Sequence, residues 1–308
     1  MFWLIWIILT LVLLRVFIIL KVGKYYAKNI MSGKVVLVTG GNSGVGYEIC
    51  LDMARRGAKL ILTCADAKKG AQAVESIKKT TKNNRIRYEI MDLTSLASVR
   101  EFVEKYKKSE AKLDVLINSA VSHCTDRRKT QDGIIKGMQV NHFGPFLLTL
   151  LLVPRLKKSS PSRVINVTSI LHRFGTIDRI DENCYGTFKT YANSKLCNVL
   201  FTNELARRLE GSGVMVNSAD QGILVSFVLK ILGPFGSKIV SPFLKSFRDA
   251  AQTAIYLAVS DDCDQMTGKY LVNCAEGGMS YKARDEGLAE KLWSISEEMV
   301  KLRAEEML

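Results

Sequence analysis

Two groups of residues in this chain are equipped for chemistry. Tyr191 and Lys195, in Tyr-Ala-Asn-Ser-Lys, stand four positions apart, and on a helix that spacing points both side chains from one face. A nearby ammonium stabilises phenolate over phenol, so Tyr191 could exchange a proton with a substrate oxygen near neutral pH. Pairs of this kind also arise by chance on solvated helix faces, so the reading needs company. Ser169 supplies it by following the run RVINVT, because loops beyond the C-terminal ends of parallel strands carry sites. The second group is the turn Thr39-Gly40-Gly41-Asn42-Ser43-Gly44-Val45-Gly46. Glycines at 40, 44 and 46 let the backbone turn tightly and approach a diphosphate, whose charge then lies against the free N–H groups of a helix N-terminus. No Gly-Lys-Ser/Thr follows, which disfavours a nucleoside triphosphate hydrolase. His123, His142 and His172 lack metal-ligand spacing, so no metal is expected.

These groups need elements to hold them. From Lys34 onward, β-branched runs alternate with stretches of helical period: VVLVT (35–39), KLILTC (59–64), IRYEIM (86–91), DVLIN (114–118), RVINVT (163–168), VMVNSA (214–219) and KYLVN (269–273) are the strand candidates. Strand then helix, repeated, predicts an α/β fold: a doubly wound parallel sheet of about seven strands, covered on both faces. The glycine turn then falls at the first strand-to-helix junction, the position that makes a dinucleotide site the favoured reading. No internal repeat or low-complexity linker divides residues 34–284, and 285–308 reads as a C-terminal helical tail.

In this order and spacing, TGGNSGVG, Asp92-Leu93, Asn118-Ser119-Ala120, Asn141, Ser169, Tyr191 and Lys195 resemble the short-chain dehydrogenases/reductases over about residues 33–280. The stretches CADAKKGAQAV, QVNHFGPFLLTLLL and NVLFTNELARRLEGSGV look like the membrane-bound retinol dehydrogenase group. The resemblance implies a Rossmann fold in which Tyr191 is the acid/base and Ser169 orients the carbonyl oxygen. Lys195 would also hold the nicotinamide ribose, and Asn141 would support a proton-relay water. Gly40, Asn42, Ser43, Gly44, Val45, Gly46, Ala65, Lys69, Asp92, Leu93, Asn118, Ala120 and Gly222 are the accompanying cofactor-binding candidates. Three departures from the family pattern stand out. Asn118-Ser119-Ala120-Val121 replaces Asn-Asn-Ala-Gly, and Gln221-Gly222 replaces Pro-Gly. Cys64-Ala65 lacks both the acidic residue for a ribose 2′-hydroxyl and the arginine for a 2′-phosphate. Lys68 or Lys69 could supply that charge, so NADP(H) is expected over NAD(H).

The chain is 308 residues long, 47% apolar and 24% charged, with 5 prolines, which excludes disordered and collagen-like classes. Its net charge of +14 suggests a polyanionic neighbour. Residues 2–20, FWLIWIILTLVLLRVFIIL, carry one charge and are about as long as a bilayer core requires. Lys21, Lys24 and Lys28 follow, so residues 1–22 are expected to anchor the protein with its body in the cytosol, and 23–33 to form a basic juxtamembrane linker. A cleaved signal peptide would need a basic start and a small-x-small cleavage site, and neither is present. The endoplasmic reticulum is the expected membrane, with the lipid droplet as the alternative. Seven dispersed cysteines without a CxxC pair agree with a reducing compartment. The basic runs Arg127-Arg128-Lys129 and Lys157-Lys158 lack interleaved aromatics, so no nucleic acid is expected. A membrane-anchored oxidoreductase acting on a lipophilic alcohol or carbonyl is the leading reading, with the apolar segment 223–247 as a lid over the substrate. A non-catalytic, dinucleotide-binding scaffold at the membrane surface is the alternative, and a homo-oligomer is left open.

Overall fold

The computed structural model describes residues 3, 6, 23–122, 128–178, 180, 186–222 and 244–308. The β-branched runs form β1 (Val35–Thr39), β2 (Lys59–Cys64), β3 (Ile86–Ile90), β4 (Val115–Asn118), β5 (Ser162–Thr168), β6 (Val214–Asp220) and β7 (Tyr270–Val272), joined by a short β8 (Ala275–Glu276). They pair in one eight-stranded sheet in the order β3-β2-β1-β4-β5-β6-β7-β8. All neighbours are parallel except β8, which runs antiparallel to β7. The eighth strand exceeds the expected number because two residues are too few to show an alternating pattern.

Helices α1 (Gly44–Arg55), α2 (Ala67–Thr81), α3 (Leu96–Ser109), α4 (Gly144–Lys158), α5 (Thr187–Arg208), α6 (Phe247–Val259) and α7 (Glu286–Met299) cover the sheet. Successive side chains on a strand point to opposite faces. Val36 and Val38 therefore join a core with Ile49 of α1, Ile77 of α2 and Ile255 of α6. Val35 and Leu37 join the opposite core with Phe102 of α3, Phe146 of α4, Leu200 of α5 and Trp293 of α7. The chain winds outward through β1, β2 and β3, then returns to place β4 on the other side of β1. That reversal opens a crevice at the carboxyl ends of β1 and β4, where α/β sheets bind ligands.

The anchor expected at 1–22 lies outside the described residues apart from Trp3 and Trp6, which are helical. Among the described residues, no helix is long and apolar enough to cross a membrane. Of the lid expected at 223–247, only 244–247 are described, with Phe247 opening α6.

Candidate active site

At the crevice lies a cleft of about 670 Å³ lined by Gly40, residues 42–46, Ala65, Asp92, Leu93 and Ala120, among others. Gly40 has φ +66° and lies so close to the β4 loop that a Cβ would stand 2.8 Å from the Ala120 Cα. A Cβ at Gly46 would collide with the Gly40 carbonyl oxygen. Ser43 precedes α1 in extended conformation, and its side chain makes no capping bond. The first-turn N–H groups of α1 have no acceptor within the helix. A glycine cradle at an uncapped helix start fits the diphosphate of a dinucleotide. Thr39, to which the sequence reading gave no role of its own, ties the two loops together: its hydroxyl oxygen accepts from the Ser119 and Ala120 N–H groups, each at 3.0 Å.

Other cofactor-binding candidates take different positions. Asn118 does not line the cleft. Its side-chain amide donates to Thr149 Oγ1 at 3.0 Å and to Asn166 Oδ1 at 2.8 Å, deep against the sheet. Asp92 lines the cleft, and its Oδ1 accepts from the Thr94 N–H and hydroxyl at 2.8 Å each. Lys69 also lies off the cleft lining, with its exposed ammonium 3.9 Å from Asp66. Asp66 caps α2 by accepting from the Lys69 N–H at 3.1 Å, a carboxylate just past β2 that the sequence reading overlooked.

Deeper in, β5, β6 and α5 bring the proton-transfer candidates together. Ser169 follows β5, is fully buried, and donates from Oγ to the Gly222 carbonyl at 3.0 Å. Tyr191 and Lys195 lie on buried turns of α5, with Lys195 Nζ 5.4 Å from the Tyr191 ring centroid. The ammonium donates to the Val167 carbonyl at 3.0 Å. The Tyr191 hydroxyl accepts from Gln221 Nε2 at 3.0 Å, and Gln221 reaches it from the end of β6 while also lining the cleft. Asn141 lies in a π-helical turn, Gln139–Phe143, that leads into α4. Its side chain accepts from the Ser122 N–H at 2.6 Å and donates to Ser194 Oγ at 3.1 Å.

The electrostatics differ from those expected of an isolated Tyr–Lys pair. Burial pushes the Tyr191 phenol up; hydrogen bonds with Gln221 and Ser169 oppose this, and the Asp220 carboxylate reinforces it. Burial pushes Lys195 down to about 8, with Asp220 opposing. The spacing put both side chains on one helix face, and the Val167 carbonyl accepts from the ammonium there. Asp220, at the end of β6, was not singled out from the sequence. It accepts from the Tyr270 hydroxyl and the Gly222 N–H, and burial raises its carboxyl despite Lys195 and Lys245 nearby. His172 locks the turn after Ser169. Its Nδ1 donates to the Ser169 carbonyl at 3.0 Å and its Nε2 accepts from the Ser280 N–H at 3.1 Å. Since a carbonyl only accepts and an amide N–H only donates, these partners fix the neutral tautomer.

A phenol, an ammonium and a serine at the carboxyl edge of the sheet, beside a glycine-lined cleft, are one part of the identification. The other is that residues 34–232 match the family model described as short chain dehydrogenase. The chain belongs to the short-chain dehydrogenase family. Within it, the protein is 39% identical to retinol dehydrogenase 12 of Mus musculus over 89% of this chain and 88% of that protein. It is 40% identical to retinol dehydrogenase 13 of Homo sapiens over 92% of this chain and 89% of that one. Among solved structures, an uncharacterised protein from Mycobacterium paratuberculosis superposes with a TM-score of 0.72 at 29% identity, over 89% of this chain and 95% of that one. This short-chain dehydrogenase is thus an oxidoreductase homologous to retinol dehydrogenases, with the family's NAD(P)-binding fold.

Proposed function

We propose that the protein is a membrane-anchored oxidoreductase that interconverts a lipophilic alcohol and its carbonyl, such as retinol and retinaldehyde, a steroid or a fatty aldehyde, with NADP(H). The observation that carries this reading is the convergence of Ser169, Tyr191 and Lys195 beside the glycine cradle, in a chain whose relatives are named retinol dehydrogenases. In this reading the dinucleotide, when bound, supplies or accepts the hydride. The turn from Gly40 to Gly46 holds its diphosphate, with Ala65, Asp92, Leu93 and Ala120 along the cleft and Gly222 beside Ser169. Tyr191 gives a proton to the substrate oxygen in reduction and removes one in oxidation. Ser169 orients that oxygen with its hydroxyl, and Lys195 sustains the phenolate and positions the ribose. Asn141 steadies the relay that returns a proton to Tyr191. The protein contributes placement and electrostatics.

Residues 1–22 are the proposed anchor, with the body facing the cytosol of the endoplasmic reticulum and the 223–247 segment covering the substrate. Support for NADP(H) comes from the absence of an acidic residue at 64–65, the net charge of +14 and the lysines at 68 and 69. Asp66 and its contact to Lys69 act against it, so the preference should be modest and sensitive to salt.

The test is turnover of retinaldehyde or a long-chain aldehyde with NADPH by the detergent-solubilised protein, beside Tyr191→Phe. The variant should lose at least a hundredfold in turnover and keep dinucleotide affinity, since only an ionisable hydroxyl is removed. A wild-type protein that binds NADPH but turns over no aldehyde or alcohol would instead favour the scaffold reading.

A further inference from the structure

The family pattern has proline where this chain has Gln221, and that exchange places a polar side chain in the site. The Gln221 backbone N–H donates to the Thr168 carbonyl at 3.1 Å, a bond proline cannot make, which holds the residue at the end of β6 beside β5. Its side chain is 2% exposed and its Nε2 lies 3.0 Å from Tyr191 Oη. We propose that Gln221 is a positioning residue for proton transfer, its amide donating to the Tyr191 oxygen and holding that oxygen ready to carry negative charge. The proposal rests on the oxidoreductase reading above and deepens it.

The chemistry has a direction. An amide N–H can donate to phenol and phenolate alike, but it donates more strongly to phenolate, so the bond favours the ionised form. Ser169 also hydrogen-bonds the phenol while donating to the Gly222 carbonyl, and the Lys195 ammonium donates to the Val167 carbonyl, so the Gln221 amide adds a donor aimed at the Tyr191 oxygen. Around the phenol, Asp220 faces it from β6, Lys195 lies beneath its ring on α5, Lys245 neighbours Asp220, and His172 follows Ser169 in the next turn. Asp220 opposes the phenolate, and Gln221, with Ser169, offsets it as a neutral hydrogen-bond partner.

The pH dependence of alcohol oxidation reads this out, because kcat/KM rises with pH as Tyr191 becomes able to take a proton. Gln221→Met keeps the length and removes the donor; Gln221→Glu keeps the shape and puts a carboxylate in its place. The rising limb should move up by about one pH unit in Gln221→Met, a roughly tenfold loss at any pH below the limb, and further in Gln221→Glu. Both variants should still bind NADPH, read by fluorescence, so that the limb is compared in the loaded protein. A second readout needs no turnover: the Cζ resonance of 13C-labelled Tyr191, assigned by its absence in Tyr191→Phe, should titrate at higher pH in Gln221→Met than in wild type. Parallel pH profiles and coincident titrations, in variants that fold and bind NADPH, would overturn the role of Gln221 and leave the oxidoreductase reading standing. A wild-type protein without turnover would remove both. Should Gln221→Met fail to fold, Gln221→Glu carries the comparison alone, and an unmoved limb there overturns the proposal.

Discussion

Lys195 shows the tension between stability and function at the scale of one residue. Its ammonium is buried, with a carbonyl at 3.0 Å and the Asp220 carboxylate as its opposite charge. Burial brings its pKa from 10.5 to about 8, and each unit corresponds to about 1.4 kcal/mol. The sign follows from proton counts. Below pH 8 the lysine is charged in both folded and unfolded chains, so the folded state bears the full cost, up to about 3 kcal/mol. Between 8 and 10.5 the unfolded chain binds more protons, so this cost fades as pH rises. Lys195→Met should therefore raise stability at pH 7 by about 1–2 kcal/mol, after allowing for the lost bond to Val167. The advantage over wild type should shrink above pH 8, and turnover should be lost throughout. Urea denaturation of both proteins at pH 7 and 9.5 measures this. A variant less stable than wild type at pH 7 would mean that the Asp220 pairing outweighs the burial cost.

At the scale of elements, a line of buried polar side chains crosses the sheet under the site. Asn118 of β4 donates to Asn166 of β5 at 2.8 Å, Asn166 donates to Thr202 of α5 at 3.0 Å, and Ser218 of β6 donates to the same Thr202 oxygen at 2.8 Å. The register places these strand residues side by side, Asn118 opposite Asn166 and Asn166 opposite Ser218. Breaking a buried polar chain leaves its neighbours unsatisfied. Asn166→Ala should lower stability by about 2–3 kcal/mol in chemical denaturation, and a loss under about 0.5 kcal/mol would show that the line is not a structural tie. This line also marks the limit of what the sequence made legible. The first seven strands, the glycine turn and the Tyr191–Lys195 helix were readable because each writes its pattern within a few consecutive residues. Asn118 was read as a cofactor ligand, and its side-chain bond to Asn166 was not legible because that partner lies 48 positions away and only strand register brings the two together. Thr39, Asp220 and the donor role of Gln221 were hidden for the same reason: each acts across a strand end on a residue remote in the chain. The two-residue β8 had no pattern to show.

For the whole molecule, the question is how the body is held to its proposed anchor. Residues 23–33, expected to be a basic juxtamembrane linker, are strapped to the body. The Tyr25 ring meets Tyr256 of α6 edge-on at 5.2 Å, and its N–H donates to the Gln252 side chain at 3.0 Å. Arg56, just past α1, stacks over the Tyr25 ring at 5.6 Å and donates to the Ala27 and Asn29 carbonyls at 2.7 and 3.1 Å. Gly23 passes so close to the Asn273 backbone that a Cβ would collide with it. The strap holds residue 23 against the body beside α6, so an anchor at residues 1–22, as proposed, would bring the α6 side of the body to the membrane. Phe247, at the start of that helix, lines the cleft, so the proposed anchor would set the cleft on a path open to a bilayer-dissolved substrate. The two halves of the N-terminal segment then separate by truncation. Deleting residues 1–22 should release the protein from membranes and leave its stability nearly unchanged. Deleting 1–33 should also remove the aromatic pair and the hydrogen bonds of the strap, each worth about 0.5–1.5 kcal/mol. The longer truncation should therefore be about 2–4 kcal/mol less stable than the shorter one, as read by urea denaturation of the two soluble proteins. Equal stabilities would show that the strap adds nothing to the fold, and a shorter truncation that stayed on membranes would shift the attachment to the body.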